Sequence, residues 1–296
     1  MKRLTIFLLA FASFAASGQT LAEFSALAQK KDTLAQQALL KKWEKTGTAD
    51  PDFYVAAFNY YAVHARREVL SLQTAESEGE SLQLTDSIGN TAGYIGGTVY
   101  YDAGDTKKAL DYINKGIAKF PDRLDLRFGK TYLLGEAEDW KLFTNEILAA
   151  IDHSSKISNK WKWKGNEPLE DAKKFMLGSI QAYVMQLYNT QDDLLLSNMA
   201  QIAERVLKYY PHHVESLSNL SIVYMLQNQP DKALPPLLKA EKIDPKDTIV
   251  LGNIAHCYKM KNDTPNAIKY YELVLKYGDE DSKQFATGQL EKLKGK

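Results

Sequence analysis

At 296 residues the chain can fold as two ordinary domains or as one elongated array whose core grows by stacking. Lysine and arginine together number 37, as do aspartate and glutamate, so the formal charge is zero. That balance excludes the long-range attraction on which nucleic-acid and anionic-membrane binding depend. The one cysteine, Cys257, cannot form a disulfide within the chain, which leaves stability to apolar packing, and as a small apolar residue it reads as core.

Residues 1–18, MKRLTIFLLAFASFAASG, set Lys2 and Arg3 ahead of an apolar run from Leu4 to Ala16 and close on small residues. This is the form of a secretory signal peptide cleaved near Gly18. The run falls short of the roughly 20 apolar residues of a membrane anchor, and no cysteine at the junction could carry a lipid. The expectation is an exported protein, periplasmic or secreted, with no membrane span after cleavage. A buried N-terminal helix in a cytoplasmic protein is the alternative.

Residues 19–90 read as a degenerate helical repeat with a polar insertion at 71–90. Leu27, Leu34, Leu39 and Trp43 recur at helical spacing. Asp50-Pro51 caps and opens a further helix, expected over Phe53 to Leu70. Ser71 to Asn90 is rich in Ser, Glu and Gln, and the alternation Leu82-Gln83-Leu84-Thr85 hints at a short strand.

Repeats are expected over 91–153. Tyr100, Ala109 and Pro121 keep the intervals that separate Tyr224, Ala233 and Pro245, so Thr91 to Asp122 reads as a repeat whose first helix, from Thr91, ends at an inter-helix turn at Gly104-Asp105. Residues 154–168, SSKISNKWKWKGNEP, lack helical periodicity and read as a loop. Repeats resume over 169–279, and 280–296 reads as a capping helix with one wet face.

The clearest stretch is Val214 to Asp279, which repeats with an offset of 34 residues. Leu217 falls on Leu251, Asn219 on Asn253, Leu220 on Ile254, Ser221 on Ala255, Tyr224 on Tyr258 and Ala233 on Ala267, while Pro211 and Pro245 close successive units. Period and residue types resemble the tetratricopeptide repeat (TPR). The resemblance implies an all-α fold, a right-handed superhelical solenoid of TPR-like antiparallel helix pairs with a C-terminal capping helix. It also implies a scaffold function, with the first helix of each pair lining a concave, partner-binding face.

Catalytic signatures are lacking at the level of spacing. His64, His153, His212, His213 and His256 are scattered, and HARRE at 64–68 lacks the second histidine of a zinc helix. Gly93, Gly96 and Gly97 superficially suggest a phosphate turn but are expected to pack inside a helix. No cofactor or metal is expected, and an enzyme with an unrecognised site is the weaker alternative.

Subtracting the packing set from the first helices leaves a candidate peptide- or protein-binding stripe of Asn219, Ile222, Met225 and Leu226 in one repeat, then Asn253, His256, Lys259 and Met260 in the next. A carboxamide both donates and accepts, so Asn219 and Asn253 could hold an extended backbone; equally, each could bridge neighbouring helices. Ser218 and Gly252 stand where a carboxylate clamp would want lysine. Trp161 and Trp163 are the second candidate. They could pin their own loop, contact a protein partner, or stack on a glycan as a surface-adhesion module. The overall expectation is a non-catalytic protein- or peptide-binding scaffold of the cell envelope.

Overall fold

The computed structural model describes residues 20–76 and 81–295. The expected leader at 1–18, and residues 77–80 of the polar insertion, lie outside the described residues. The helices are α1 (residues 20–29), α2 (Thr33–Glu44), α3 (Pro51–Ala65), α4 (Ala103–Lys119), α5 (Leu124–Glu136), α6 (Trp140–Lys156), α7 (Ala172–Asn189), α8 (Leu196–Tyr209), α9 (Val214–Leu226), α10 (Pro230–Ile243), α11 (Thr248–Met260), α12 (Thr264–Tyr277) and α13 (Glu280–Lys294). Strands β1 (Arg66–Gln73), β2 (Ser81–Thr85) and β3 (Thr91–Tyr101) intervene between α3 and α4.

The chain divides into two compact units, one of residues 1–139 and 160–170, the other of 140–159 and 171–296. In the second unit α9/α10 and α11/α12 are antiparallel helix pairs of the tetratricopeptide type, superposable in sequence at the 34-residue offset. The repeated small residues have a steric reason. Ala233 and Ala267 are fully buried where the second helix meets the first, and Ser221 and Ala255 are likewise buried on the first helix, so the backbones approach closely. Between the helices of each pair one residue takes left-handed backbone: Asn228 at φ 56° and Asn262 at φ 59°. Gln191, between α7 and α8, and Lys31, between α1 and α2, do the same at 56° and 55°. Asparagine tolerates that conformation best, which accounts for its recurrence in the two most regular repeats. The core here includes Leu217, Leu237, Leu251, Ile254, Cys257 and Tyr271, and α13 closes it with Ala286 and Leu290.

Tyr271 occupies the place of Leu237 one repeat earlier, and its hydroxyl is buried without a hydrogen-bond partner among the described residues. Burial pushes its pKa up to about 12. An unsatisfied buried hydroxyl costs about 1–3 kcal/mol, part of which phenylalanine recovers. Tyr271→Phe is therefore expected to raise unfolding stability by about 1 kcal/mol, measured by urea denaturation.

The first unit departs from the expected pattern. α3 and α4 are one antiparallel pair, but a 36-residue excursion, 66–101, replaces the turn between them. It is an antiparallel sheet of order β1-β3-β2. Its base is closed where the Asp102 amide donates to the Ala65 carbonyl at 2.8 Å. Asp102 then caps α4, accepting from the Asp105 amide. Thr91–Tyr101 is thus strand where a first helix was expected, α3 stops at Ala65 rather than Leu70, and Gly104-Asp105 lies in the first turn of α4. Tyr100 matched the repeat interval by coincidence: it is exposed on the sheet, whereas Ala109, Ile113 and Gly116 are buried as a second helix requires. The polar insertion expected at 71–90 covers only part of this sheet.

TAGYIGGTVYY carries the residues that favour extended backbone, β-branched and aromatic, with glycines where strands crowd. Gly116 allows α4 to touch α3; a Cβ there would sit 2.8 Å from the Tyr54 Cβ. The core of this unit joins Phe24, Leu40, Trp43, Phe53, Phe58, Ile113 and Leu126.

Candidate functional site: the first-helix face of the C-terminal unit

In the unit of residues 140–159 and 171–296, α7, α9 and α11 are first helices of successive pairs, and their left-handed turn residues supply a common register. Met185, Ile222 and His256 each lie six residues before that turn residue. They form one row: Met185 and His256 exposed, Ile222 half-buried.

Beside this row, within one helical turn of it on each helix, the face is polar and internally paired. The Asn219 carboxamide donates to Gln181 Oε1 at 2.6 Å, and Gln181 Nε2 returns a longer bond of 3.4 Å. Asn253 Nδ2 donates to Ser218 Oγ at 3.0 Å, and Lys259 Nζ to Gln289 Oε1 at 2.9 Å. These rungs tie α7 to α9, α9 to α11 and α11 to α13. Asn219 is only 5% exposed, so its donor and acceptor are already committed to Gln181. Of the two sequence readings for Asn219 and Asn253, the contacts present are those of helix bridging. Met225 is also buried, in the core.

Leu226 is 51% exposed and Met260 half-buried. Leu226 lines a cleft of about 470 Å³ with Leu187, Tyr188, Leu196 and Met199, and Asp192 and Asp193 stand at its edge. This cleft leaves no periodic trace in the sequence, because its wall comes from the α7–α8 turn, whose place beside the end of α9 is set by packing. It suits an apolar side chain with a cationic neighbour.

The histidines do not converge. His213 caps α9, its Nδ1 accepting from the Ser216 amide at 3.3 Å, with Glu215 3.2 Å from Nε2. Burial lowers its pKa, partly offset by Glu215, so the ring is held neutral. A folded state that binds fewer protons than the unfolded chain loses stability as pH falls below the ordinary histidine value of about 6.5. The melting temperature is therefore expected to fall between pH 7 and pH 5. His213→Asn, which keeps a capping acceptor, should flatten that fall; an unchanged slope would reject the assignment. His256 contributes in the same direction, since burial and then the Lys259 charge lower its pKa. Among the described residues no cluster of three or more His, Cys, Asp or Glu is placed to hold a metal. No helix among them is long and apolar enough to cross a membrane.

Trp161 belongs to the other unit and corrects its reading as a contact residue. It is 1% exposed, with the Arg127 guanidinium 6.0 Å from its ring, and so has no free face for a partner or a glycan. Its loop is strapped down by backbone bonds: Lys162 donates to the Asp122 carbonyl, the Leu124 amide to Lys162 and the Leu169 amide to Trp161. Trp163 is half-buried and its amide donates to Glu167.

No family model matches the chain, and no curated protein matches it. Solved structures give weak likenesses. A TPR protein described as having an unusual peptide-binding site, YrrB, is similar at 15% identity and a TM-score of 0.38, over 62% of this chain and 83% of that one. The C-terminal part of a TPR protein from Cytophaga hutchinsonii is similar at 14% and 0.44, over 87% and 78%. A tetratricopeptide repeat protein from Parabacteroides merdae is similar at 11% and 0.40, over 93% and 85%. The repeat type assigned here stands on the 34-residue offset and the helix pairs themselves.

Proposed function

We propose that the protein is a non-catalytic, exported scaffold that binds an extended protein segment along the first helices of its C-terminal repeats. One observation carries this reading: the row Met185, Ile222, His256 lies open beside a polar ladder whose members are satisfied by one another. A surface that spends its polar groups on holding successive helices in register, and sets Met185, Ile222 and His256 at one place on successive helices, is suited to a chain running across the helices. The cleft at Tyr188 and Leu226 would take an apolar side chain, and Asp192 and Asp193 a basic residue next to it. His256, Lys259 and Met260 would continue the contact on α11.

The test pairs two double variants. Met185→Glu with His256→Glu is expected to lose bound protein in pull-downs from envelope extracts while its melting temperature stays unchanged, both side chains being exposed. Asn219→Ala with Asn253→Ala is expected to keep the partner and to melt lower, by about 1 kcal/mol of stability, because the half-buried Gln181 loses its pair and Ser218 its donor. Recovery of the same partners by the glutamate variant would reject the face. Export is tested separately by mass spectrometry of the mature protein, where an intact Met1 would reject leader cleavage.

A further inference from the structure

The inserted sheet ends in a free edge. In the order β1-β3-β2, strand β1 pairs on one side only among the described residues, with Arg66 opposite Tyr101 and Gln73 opposite Tyr94. The Asp102–Ala65 bond fixes the parity. Ala65 directs its carbonyl toward β3, so the odd residues of β1 bond to β3 and the peptide groups of Arg66, Glu68, Leu70 and Leu72 point away from the sheet. Leu70 and Leu72 lie on one face with Leu82, Leu84, Ile95 and Val99, while Ser71, Gln73 and Thr98 hydrogen-bond to one another on the opposite face. Leu70 is 80% exposed and Leu72 73%.

Proteins rarely leave an open strand edge and an exposed apolar face together. The charges of β1 are placed unevenly. Arg66, Arg67 and Glu68 open it with one net positive charge, Arg66 standing 3.7 Å from Glu68 and Arg67 3.3 Å from Asp105; Val69 to Ala75 carry no charge, and Glu76 follows. A segment basic at its start and acidic after its end is complementary to itself, but only when the two copies run antiparallel.

We propose that β1 is the contact through which two copies of this chain pair, antiparallel, about a two-fold axis at Ser71. With Ser71 opposite its own symmetry mate, Leu70 faces Leu72 of the second copy, Glu68 faces Thr74 and Arg66 faces Glu76. Within β1 the outward-pointing peptide groups of Leu70 and Leu72 then meet those of the second copy, since even residues pair with even; beyond Gln73 the backbone bends, so Glu68 and Arg66 meet Thr74 and Glu76 through side chains. The four leucines form one cluster on the apolar face, and the two Arg66–Glu76 pairs close the ends. An isologous contact of this kind ends with the dimer rather than extending into a fibre. Edge strand β2 is less suited, being five residues long, uncharged and irregular at Leu84/Thr85.

The axis provides the sharpest test. Ser71 occupies a non-hydrogen-bonded position in the new pair, where Cα atoms approach to about 4.5 Å, within disulfide reach. In the full chain, Ser71→Cys is expected to cross-link under mild oxidation to a species of twice the monomer mass, whereas Val69→Cys, displaced from the axis, is not; the native Cys257 is buried and gives no background. Light scattering at micromolar concentration is expected to show a dimer. Leu70→Lys with Leu72→Lys should convert it to monomer with an unchanged circular dichroism spectrum, both side chains being exposed in the single chain. Arg66→Glu should loosen the dimer at least tenfold, and Arg66→Glu with Glu76→Arg should restore it. A monomer throughout the concentration range, a dimer indifferent to the lysine pair, or equal cross-linking at positions 69 and 71 would each overturn the proposal. So would binding of phospholipid vesicles or of an extended peptide to a chain that remains monomeric.

Discussion

Trp161→Ala is expected to lower unfolding stability by about 4 kcal/mol, in the range of large aromatic truncations in a core. The indole is almost wholly buried and lies beside the Arg127 guanidinium. Its removal therefore leaves a cavity and takes the apolar cover from a charged group. The strap it anchors holds Lys160, Lys162 and Lys164, so trypsin should cut the variant in this segment well before the native protein is cleaved there. Urea denaturation measures the first effect and timed proteolysis the second. Trp161→Phe, which fills part of the volume, should fall between. Partner capture with unchanged stability in the alanine variant would restore the reading of Trp161 as a contact residue.

Arg123→Met is expected to cost about 3 kcal/mol, read from the same denaturation. The guanidinium is 1% exposed and bonds Asp52 at 2.8 Å and Asp125 at 2.8 and 2.6 Å. Removing one member of a buried ionic group typically costs about 3–5 kcal/mol, because the remaining charges lose their counterion without regaining full hydration. Here the lower end applies. Asp52 and Asp125 each sit in the first turn of a helix, α3 and α5, where the helix dipole supports a carboxylate, and each keeps some access to water. Arg123→Lys should recover only part of the loss, since an ammonium cannot bond Asp125 through two nitrogens and still reach Asp52. A variant as stable as the native chain would show that the triad sets geometry alone.

Both residues illustrate a limit of reading by pattern. Arg123 gives no periodic signal, and its partners lie two and 71 positions away. Trp161 was one of two indoles in a lysine-rich stretch, a composition compatible with display or burial. Of the sheet, the alternation at Leu82–Thr85 marks β2, whereas β1 and β3 escape a reading by pattern for a related reason. Each of its strands is short, and a strand is recognisable mainly through a partner that local sequence does not name. The interval from Ala109 to Pro121 marks a second helix, α4, but the first helix it packs against is not immediately upstream: it is α3, on the far side of the insertion.

What the sequence determined by itself was the repeat. The 34-residue period, the small residues at Ser221, Ala255, Ala233 and Ala267, and the core place of Cys257 follow from constraints within one or two helical hairpins, and each leaves a local trace. What the tertiary structure alone decided was availability. Asn219 and Asn253 could be placed on the first-helix face from spacing, yet whether they meet a ligand or one another's helices depends on Gln181 and Ser218, 38 and 35 residues away. Hydrogen-bonding capacity is a property of the residue, whereas its satisfaction is a property of the packing, and only the packed chain shows which groups remain free to bind.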